Sequence, residues 1–294
     1  MTDWLSVLSI PLIQNMFMAT IVACVICGVV GTFVVVNRMV SITGGIAHTT
    51  FGGVGFAYFA ASVLMVSWMT PMWGALLFGI VSALILSVTA MNKRVRQDSM
   101  IGVLWAIGMA AGVIFMSMVD RNVVTPLSYE AILFGDVLFV GQSSLIIMTV
   151  ISLAIIVIVA LLFREFQILT FDGANARLFG VNVPLMNTIL YVIIAVACVM
   201  VANVVGIIMI IALMTIPAAM ANLFVKNLKD TMIYASVLSA MLSVLGLFVA
   251  IEFDIPPGAT VVMFIGFAFV AALAVKRLMN RNAERNSTGP RGSV

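Results

Sequence analysis

The sequence predicts an all-α, polytopic membrane protein with about eight or nine transmembrane helices. Three observations predict it. Hydrophobic residues make up 64% of the 294 residues and charged residues only 9%. A soluble domain is nearer half apolar and a quarter charged. The runs Ile13–Val36, Ser144–Phe163 and Val204–Val225 carry no charge, and each is long enough for the ~20 residues that a span requires. The basic residues, finally, collect on one side when the runs are alternated across a bilayer.

Nine stretches qualify. The first is Ile13–Val36. The residues before it, Met1–Leu12, hold Asp3 and no basic side chain, so they do not read as a signal peptide. Cys24 and Cys27 lie within it and Cys198 in a later span. Cys-x-x-Cys resembles a metal motif, but a structural zinc site needs two further thiolates or imidazoles. Packing is the expected role.

The second stretch, Gly44–Val66, is the most unusual. It holds the only histidine, His48, and the glycines Gly44, Gly45, Gly52, Gly53 and Gly55. On a helix Gly44, His48, Gly52 and Gly55 form one stripe. A stripe that bare admits a neighbouring helix closely and leaves the imidazole as its tallest polar group. An ionisable group inside a membrane is a functional hypothesis by default.

The third stretch, Pro71–Met91, follows a turn bracketed by Trp68 and Trp73, as in an interfacial aromatic belt. The fourth, Met100–Val119, carries Trp105 mid-span, where packing is expected. Within the connection Asp120–Ser143, the portion Thr125–Val140 is too apolar for a plain loop and reads as a short interfacial or re-entrant helix. The fifth stretch is Ser144–Phe163. After it, Phe171–Gly180 reads as a short amphipathic helix with Asp172 as N-cap and Gly180 as terminator. Arg177 projects from it beside Ala176. Such a helix either lies on headgroups or docks into another protein.

The sixth and seventh stretches, Pro184–Ala202 and Val204–Val225, nearly touch, with the division expected at Asn203. Pro217 should kink or break the seventh. Met232–Ile251 and Gly258–Val275 complete the set. Residues 1–276 therefore form a single transmembrane domain, and the polar tail 277–294 is expected to be disordered.

With the N-terminus outside, the inner side receives thirteen of the fourteen basic residues, leaving Arg121 outside. Merging two spans would scatter them, so an odd number of crossings is favoured. The outer rim collects Asp3, Asp120, Glu130, Asp136, Glu252 and Asp254. That rim is either the residue of charge sorting or a surface that concentrates cations. The expected location is the plasma or inner membrane, with the C-terminus in the cytoplasm.

The chain has no G-x-x-x-x-G-K-[ST] phosphate loop, so it is not expected to hydrolyse ATP itself. A single histidine forbids most zinc hydrolase sites, and no G-x-S-x-G elbow with a histidine partner is available. Carboxylates are nearly absent from the spans, which disfavours a self-powered carrier. No enzyme activity, no permanently bound cofactor and no nucleic-acid partner are expected.

Four motifs carry a resemblance. They are Arg38–Gly53 with His48; Phe171, Asp172, Ala176 and Gly180 in an F-D-x-x-x-A-x-x-x-G pattern; Val205-Gly206 through Ile216-Pro217-Ala218-Ala219-Met220-Ala221; and Asp254-Ile255-Pro256-Pro257-Gly258. In this order they resemble the permease of zinc- and manganese-type ABC importers, from about Ile10 to Lys276. The resemblance implies a fold similar to vitamin B12 and siderophore importer permeases. It implies a homodimer, two cytoplasmic ATPase subunits, an extracytoplasmic metal-binding protein and a divalent metal as transported substrate. Phe171–Gly180, with Asp172, Ala176, Arg177 and Gly180, would be the coupling helix.

One departure stands out. The family commonly has an aspartate four residues before the histidine, where this chain has Gly44. His48, helped by Thr49, Thr50 or methionine sulfur, would be a softer and weaker metal contact. A metal chelate as cargo, or an ATP-independent channel or carrier, remain the alternatives. Pro217 is the expected break in a pathway helix.

Overall fold

The computed structural model describes residues 9–287 apart from 67, 92–94, 121, 129–131, 133–140 and 174. Among the described residues the chain is helical throughout, with no strand. The helices are α1 (Pro11–Val36), α2 (Val40–Ser62), α3 (Pro71–Met91), α4 (Gln97–Ser117), α5 (Gln142–Leu161), α6 (Phe163–Asp172), α7 (Val183–Val205), α8 (Ile207–Phe224), α9 (Leu228–Phe253) and α10 (Pro257–Ser287). A 3-10 turn, Ala176–Phe179, separates α6 from α7.

Eight of these helices are long and apolar enough to cross a membrane. α2 is the exception, because glycine, threonine and histidine dilute its apolar content. It still has 23 residues, about 34 Å at 1.5 Å per residue, and it packs along α3 and α4. Nine helices therefore match the nine expected stretches. The second span begins earlier than the expected Gly44, because α1 ends at Val36 and α2 starts at Val40. The chain reverses there on Arg38, held at φ 58°.

Connections alternate between two ends of the bundle. At one end the Asn37 amide donates to Thr170 Oγ1 at 3.3 Å and the Gln97 amide donates to the Tyr191 hydroxyl. At the other end the Asp120 N–H donates to Ser62 Oγ at 3.4 Å and the Leu127 N–H to the Tyr58 hydroxyl at 3.4 Å. Hydroxyls inside the spans bond their own helix: Thr20 to the Met16 carbonyl at 2.8 Å and Thr32 to the Gly28 carbonyl at 2.7 Å. In lipid each polar group must find such an internal partner.

The core has two halves. α2 lies between α3 and α4, with α7 on the far side of α3. α1 packs on α8 and α9, and α10 covers these from outside. α1 and α8 approach so closely that a Cβ on Gly31 would lie 2.0 Å from the Met214 carbonyl oxygen. The three cysteines are buried and free. The Cys24 thiol donates to Ser243 Oγ at 3.3 Å, and that of Cys198 to Met214 sulfur at 3.8 Å.

Four expectations need correction. The division between the sixth and seventh spans falls at Gly206 and not at Asn203. Gly206 has φ 85° and ψ 160°, a region open essentially to glycine alone. α8 runs through Pro217 without a break, although a proline there leaves the Leu213 carbonyl without its helical donor. Phe171–Gly180 is not one helix. Its first two residues end α6, which follows α5 almost directly, and Asp172 accepts from the Asn175 side chain at 3.1 Å instead of capping a helix start. α10 continues to Ser287, so residues 277–287 are helical where disorder was expected. Most of Thr125–Val140 lies outside the described residues.

Candidate functional site

The face of α2 that carries His48 is set by what glycine allows. An added Cβ on Gly52 would meet the Gly108 carbonyl oxygen at 2.7 Å, and one on Gly55 the Gly112 carbonyl oxygen at 2.6 Å. These contacts pull α4 onto α2 over the half nearer Ser62. On α2's neighbouring face, a Cβ on Gly53 would lie 2.1 Å from the Gly74 carbonyl oxygen of α3. Toward Val40 the seam widens. There a Cβ on Gly45 would meet the side chain of Ile101, and one on Gly44 would lie 3.6 Å from the Trp105 ring and 3.7 Å from Ile211 of α8.

His48 fills this wider part. Its ring stacks on the Trp105 indole, with centroids 4.1 Å apart and planes 12° from parallel. Its Nδ1 is buried and makes no hydrogen bond. The rest of the residue is only partly covered, and Trp105 is 41% exposed. A buried polar atom without a partner costs free energy and calls for a reason. The stripe Gly44, His48, Gly52, Gly55 thus faces α4 along its length, and only the half toward Val40 leaves polar chemistry accessible.

His48 and Gly44 share this face. Thr49 also packs on α4, but its hydroxyl is used up by backbone carbonyls. Its hydroxyl bonds the Gly45 carbonyl at 2.7 Å and the Leu104 carbonyl at 3.2 Å, and Gly108 packs against it. Thr50 likewise bonds the Ala47 carbonyl at 2.6 Å. Both hydroxyls serve the helix seams. Pro217 is buried on α8, six residues beyond the Ile211 that borders Gly44. Trp105 is the residue that sequence reasoning assigned to packing alone. Its partnership with His48 depends on the register between α2 and α4, which the Gly52–Gly108 and Gly55–Gly112 approaches fix. Among the described residues no three histidines, cysteines or carboxylates are grouped so as to hold a metal ion.

A second feature lies at the end of the bundle that holds Arg38. α6 is anchored by Phe166, which is buried against Phe33 of α1 with ring centroids 5.3 Å apart. Beyond it, Ala176 is buried with Val181 and Met186. The 3-10 turn ends at Gly180 with φ 80°, where the Val181 N–H returns to the Ala176 carbonyl at 3.1 Å. This scaffold presents Leu178 at 84% exposure and Phe171 and Phe179 at 60%. Arg177 is exposed among them. Asp172, Ala176, Arg177 and Gly180 are thus brought together, with Ala176 inside and Arg177 outside.

A helical bundle with eight helices long and apolar enough to cross a membrane has the architecture of a polytopic membrane protein. The chain matches the ABC 3 transport family over residues 9–276 and belongs to it. It is 36% identical to the uncharacterised membrane protein slr2045 of Synechocystis over 264 residues, 90% of each chain. It is 33% identical to a probable metal transport system membrane protein of Chlamydia pneumoniae, covering 90% of this chain and 89% of that one. A manganese transport system membrane protein, MntC of Halalkalibacterium halodurans, is 27% identical, with coverages of 90% and 87%. Among solved structures, PsaBC from Streptococcus pneumoniae in complex with Fab superposes with a TM-score of 0.80 at 26% identity, covering 92% of this chain and 94% of that one. An inward-facing metal-chelate-type ABC transporter shares the fold at a TM-score of 0.66 and 16% identity, with coverages of 88% and 84%.

Proposed function

We propose that this chain is the permease subunit of an ABC importer for a divalent metal ion, manganese or zinc in the first place. It is a multi-pass membrane protein and a transport component. The observation that carries the cargo assignment is His48, an imidazole with an unpaired buried nitrogen on a partly open face of α2, in the half nearer Val40. Neutral imidazole is a common metal ligand, and one ligand without a surrounding cage suits passage better than storage. Relatives named as metal or manganese transport proteins support the same reading.

The assembly we infer is a homodimer powered by a separate cytoplasmic ATPase and fed by an extracytoplasmic metal-binding protein. The end of the bundle with Arg38 and Arg177 faces the cytoplasm in this reading, in keeping with the side to which basic residues sort. Phe171, Leu178 and Phe179 around Arg177 then form the surface that docks on the ATPase. Exposed apolar knobs on a scaffold tied to α1 are suited to transmitting a push.

The test is reconstitution in liposomes with the ATPase and binding protein, followed by uptake of manganese, zinc and iron. His48→Ala should lower uptake at limiting metal about tenfold while ATPase assembly persists, since one charge-assisted or ligand contact is worth about 1.5–3 kcal/mol. Unchanged uptake would remove His48 from the pathway. Arg177→Glu should abolish stimulation of ATP hydrolysis, and stimulation that survives would refute the docking surface.

A second reading is a metal chelate as cargo. Gly44 and the exposed Trp105 face leave beside His48 an aromatic surface that a bare cation does not need. Recovery of a chelate from the cognate binding protein would select this reading; recovery of the free metal would reject it.

A further inference from the structure

Where α1 ends and α2, α4 and α7 begin, the bundle leaves a half-open cavity of about 350 Å³. Its polar wall is formed by Asn37, Arg38, Gln97, Asn187 and Tyr191. Among the described residues no carboxylate lines it, although Asp98 adjoins Gln97 and Asp172 adjoins Gly173 in the chain. We propose that this cavity binds a phosphate-type oxyanion, held by the Arg38 guanidinium with Asn187 and Tyr191 as further donors.

The backbone at Arg38 is the first argument. The Arg38 N–H donates to the Val35 carbonyl at 3.1 Å and the Met39 N–H to the Val34 carbonyl at 2.7 Å. This is a helix-ending pattern in which glycine usually takes the left-handed position. Here arginine takes it, at φ 58°, where an L side chain is strained. Arg38, itself exposed, is thereby held at the rim of the cavity that it helps to line. Among the described residues Arg38 makes no ion pair and Asn187 no side-chain hydrogen bond.

The donors are the second. The Gln97 amide already donates to the Tyr191 oxygen, so the tyrosine's own proton is available to another acceptor. The Asn37 amide is used on Phe33 and Thr170. The third argument is the field. Three long helices, α2, α4 and α7, start at this cavity, and the partial positive charge of helix N-termini favours anions. α1 and α6 end here with the opposite sign, but the last turn of α1 is closed by the Arg38 and Met39 N–H groups.

The cavity sits at an end of the bundle, so a phospholipid headgroup and free inorganic phosphate offer it the same chemistry. Leu169 and Gly173 of α6 also line it. A bound phosphate would therefore bridge the turn that starts α2 to the segment leading to Arg177, which the Asn37–Thr170 hydrogen bond already joins.

The experiment uses the full-length purified chain in two arms. In the first, protein from vesicles of phosphatidylglycerol and phosphatidylcholine is stripped of bulk lipid, and retained lipid is counted by native mass spectrometry. In the second, inorganic phosphate is titrated into delipidated protein in detergent and the thermal midpoint is followed. Arg38→Gly should fold at least as stably as the parent, because glycine relieves the turn, and should weaken retention or phosphate response about tenfold. Tyr191→Phe should weaken it by a smaller factor, about threefold. Lost lipid retention identifies the headgroup as ligand; a lost phosphate response identifies free phosphate. Equal behaviour of parent and Arg38→Gly in both arms overturns the proposal. So does an equal loss in Lys226→Gln, an exposed lysine at the same end, since that would reduce the effect to general surface charge.

Discussion

α2 and α10 are both long helices of the same bundle, and they meet their surroundings in opposite ways. α2 is the one long helix without a stretch apolar enough for a membrane span, and it is among the most buried. Its backbone touches α3 and α4 through Gly52, Gly53 and Gly55. α10 is rich in apolar side chains, yet Met263, Phe267 and Val270 remain exposed and an added Cβ on Gly266 would meet nothing within 4 Å. The difference follows from the solvent. Lipid is as apolar as leucine, so burial of apolar side chains against protein gains little, and close packing of small residues holds helices together. Apolarity marks the helix facing lipid; glycine marks the helix at the centre.

The sharpest way to break this contrast is Gly53→Ala. The new methyl would lie 2.1 Å from the Gly74 carbonyl oxygen, and a backbone atom cannot swing away. A loss of about 1–3 kcal/mol is expected from overpacking of this kind, read as a lower thermal midpoint in detergent. An unchanged midpoint would mean that α2 and α3 are not in rigid contact. Trp105→Ala tests the wider part of the same seam. Removing the stack on His48 should cost about 0.5–1.5 kcal/mol beyond the area lost, less than Gly53→Ala if both are measured alike. The same variant should alter metal uptake if the imidazole depends on the indole for its orientation. Gly266→Ala comes last. Alanine is the better helix former by about 1 kcal/mol, so stability should hold or rise slightly. A clear loss would reveal that another molecule covers that face of α10.

The spans were legible because charge is a strong signal in this chain. Nine uncharged or nearly uncharged stretches, punctuated by basic clusters, correspond to nine helices with ends shifted by a few residues. The shifts have local causes. Asn203 resembles a break by polarity, but polarity does not open the backbone region that Gly206 occupies. Pro217 removes one donor, and a helix enclosed by neighbours tolerates that loss. Phe171–Gly180 carries the residues of a docking element, yet Gly173 and the run of α6 before it divide the segment. At the candidate site, the glycine stripe and His48 were visible as a pattern. The Trp105 partner was not, because a contact between two helices depends on their axial register, and no periodicity within either helix encodes it. Thr49 illustrates the opposite error: a hydroxyl next to a histidine suggests a ligand, while its neighbours in space are backbone carbonyls.

Gly206 also constrains how the chain enters the membrane. α7 and α8 are joined through this single residue, so no hydrated loop separates them. The first must cross and the second return without an intervening segment that water can hold in place. A joint this tight favours insertion of the pair as one hairpin. Residues added at this joint would give the pair a loop and uncouple the two insertions, whereas the same addition in Val63–Thr70, already a connection of several residues, would leave the order of assembly unchanged.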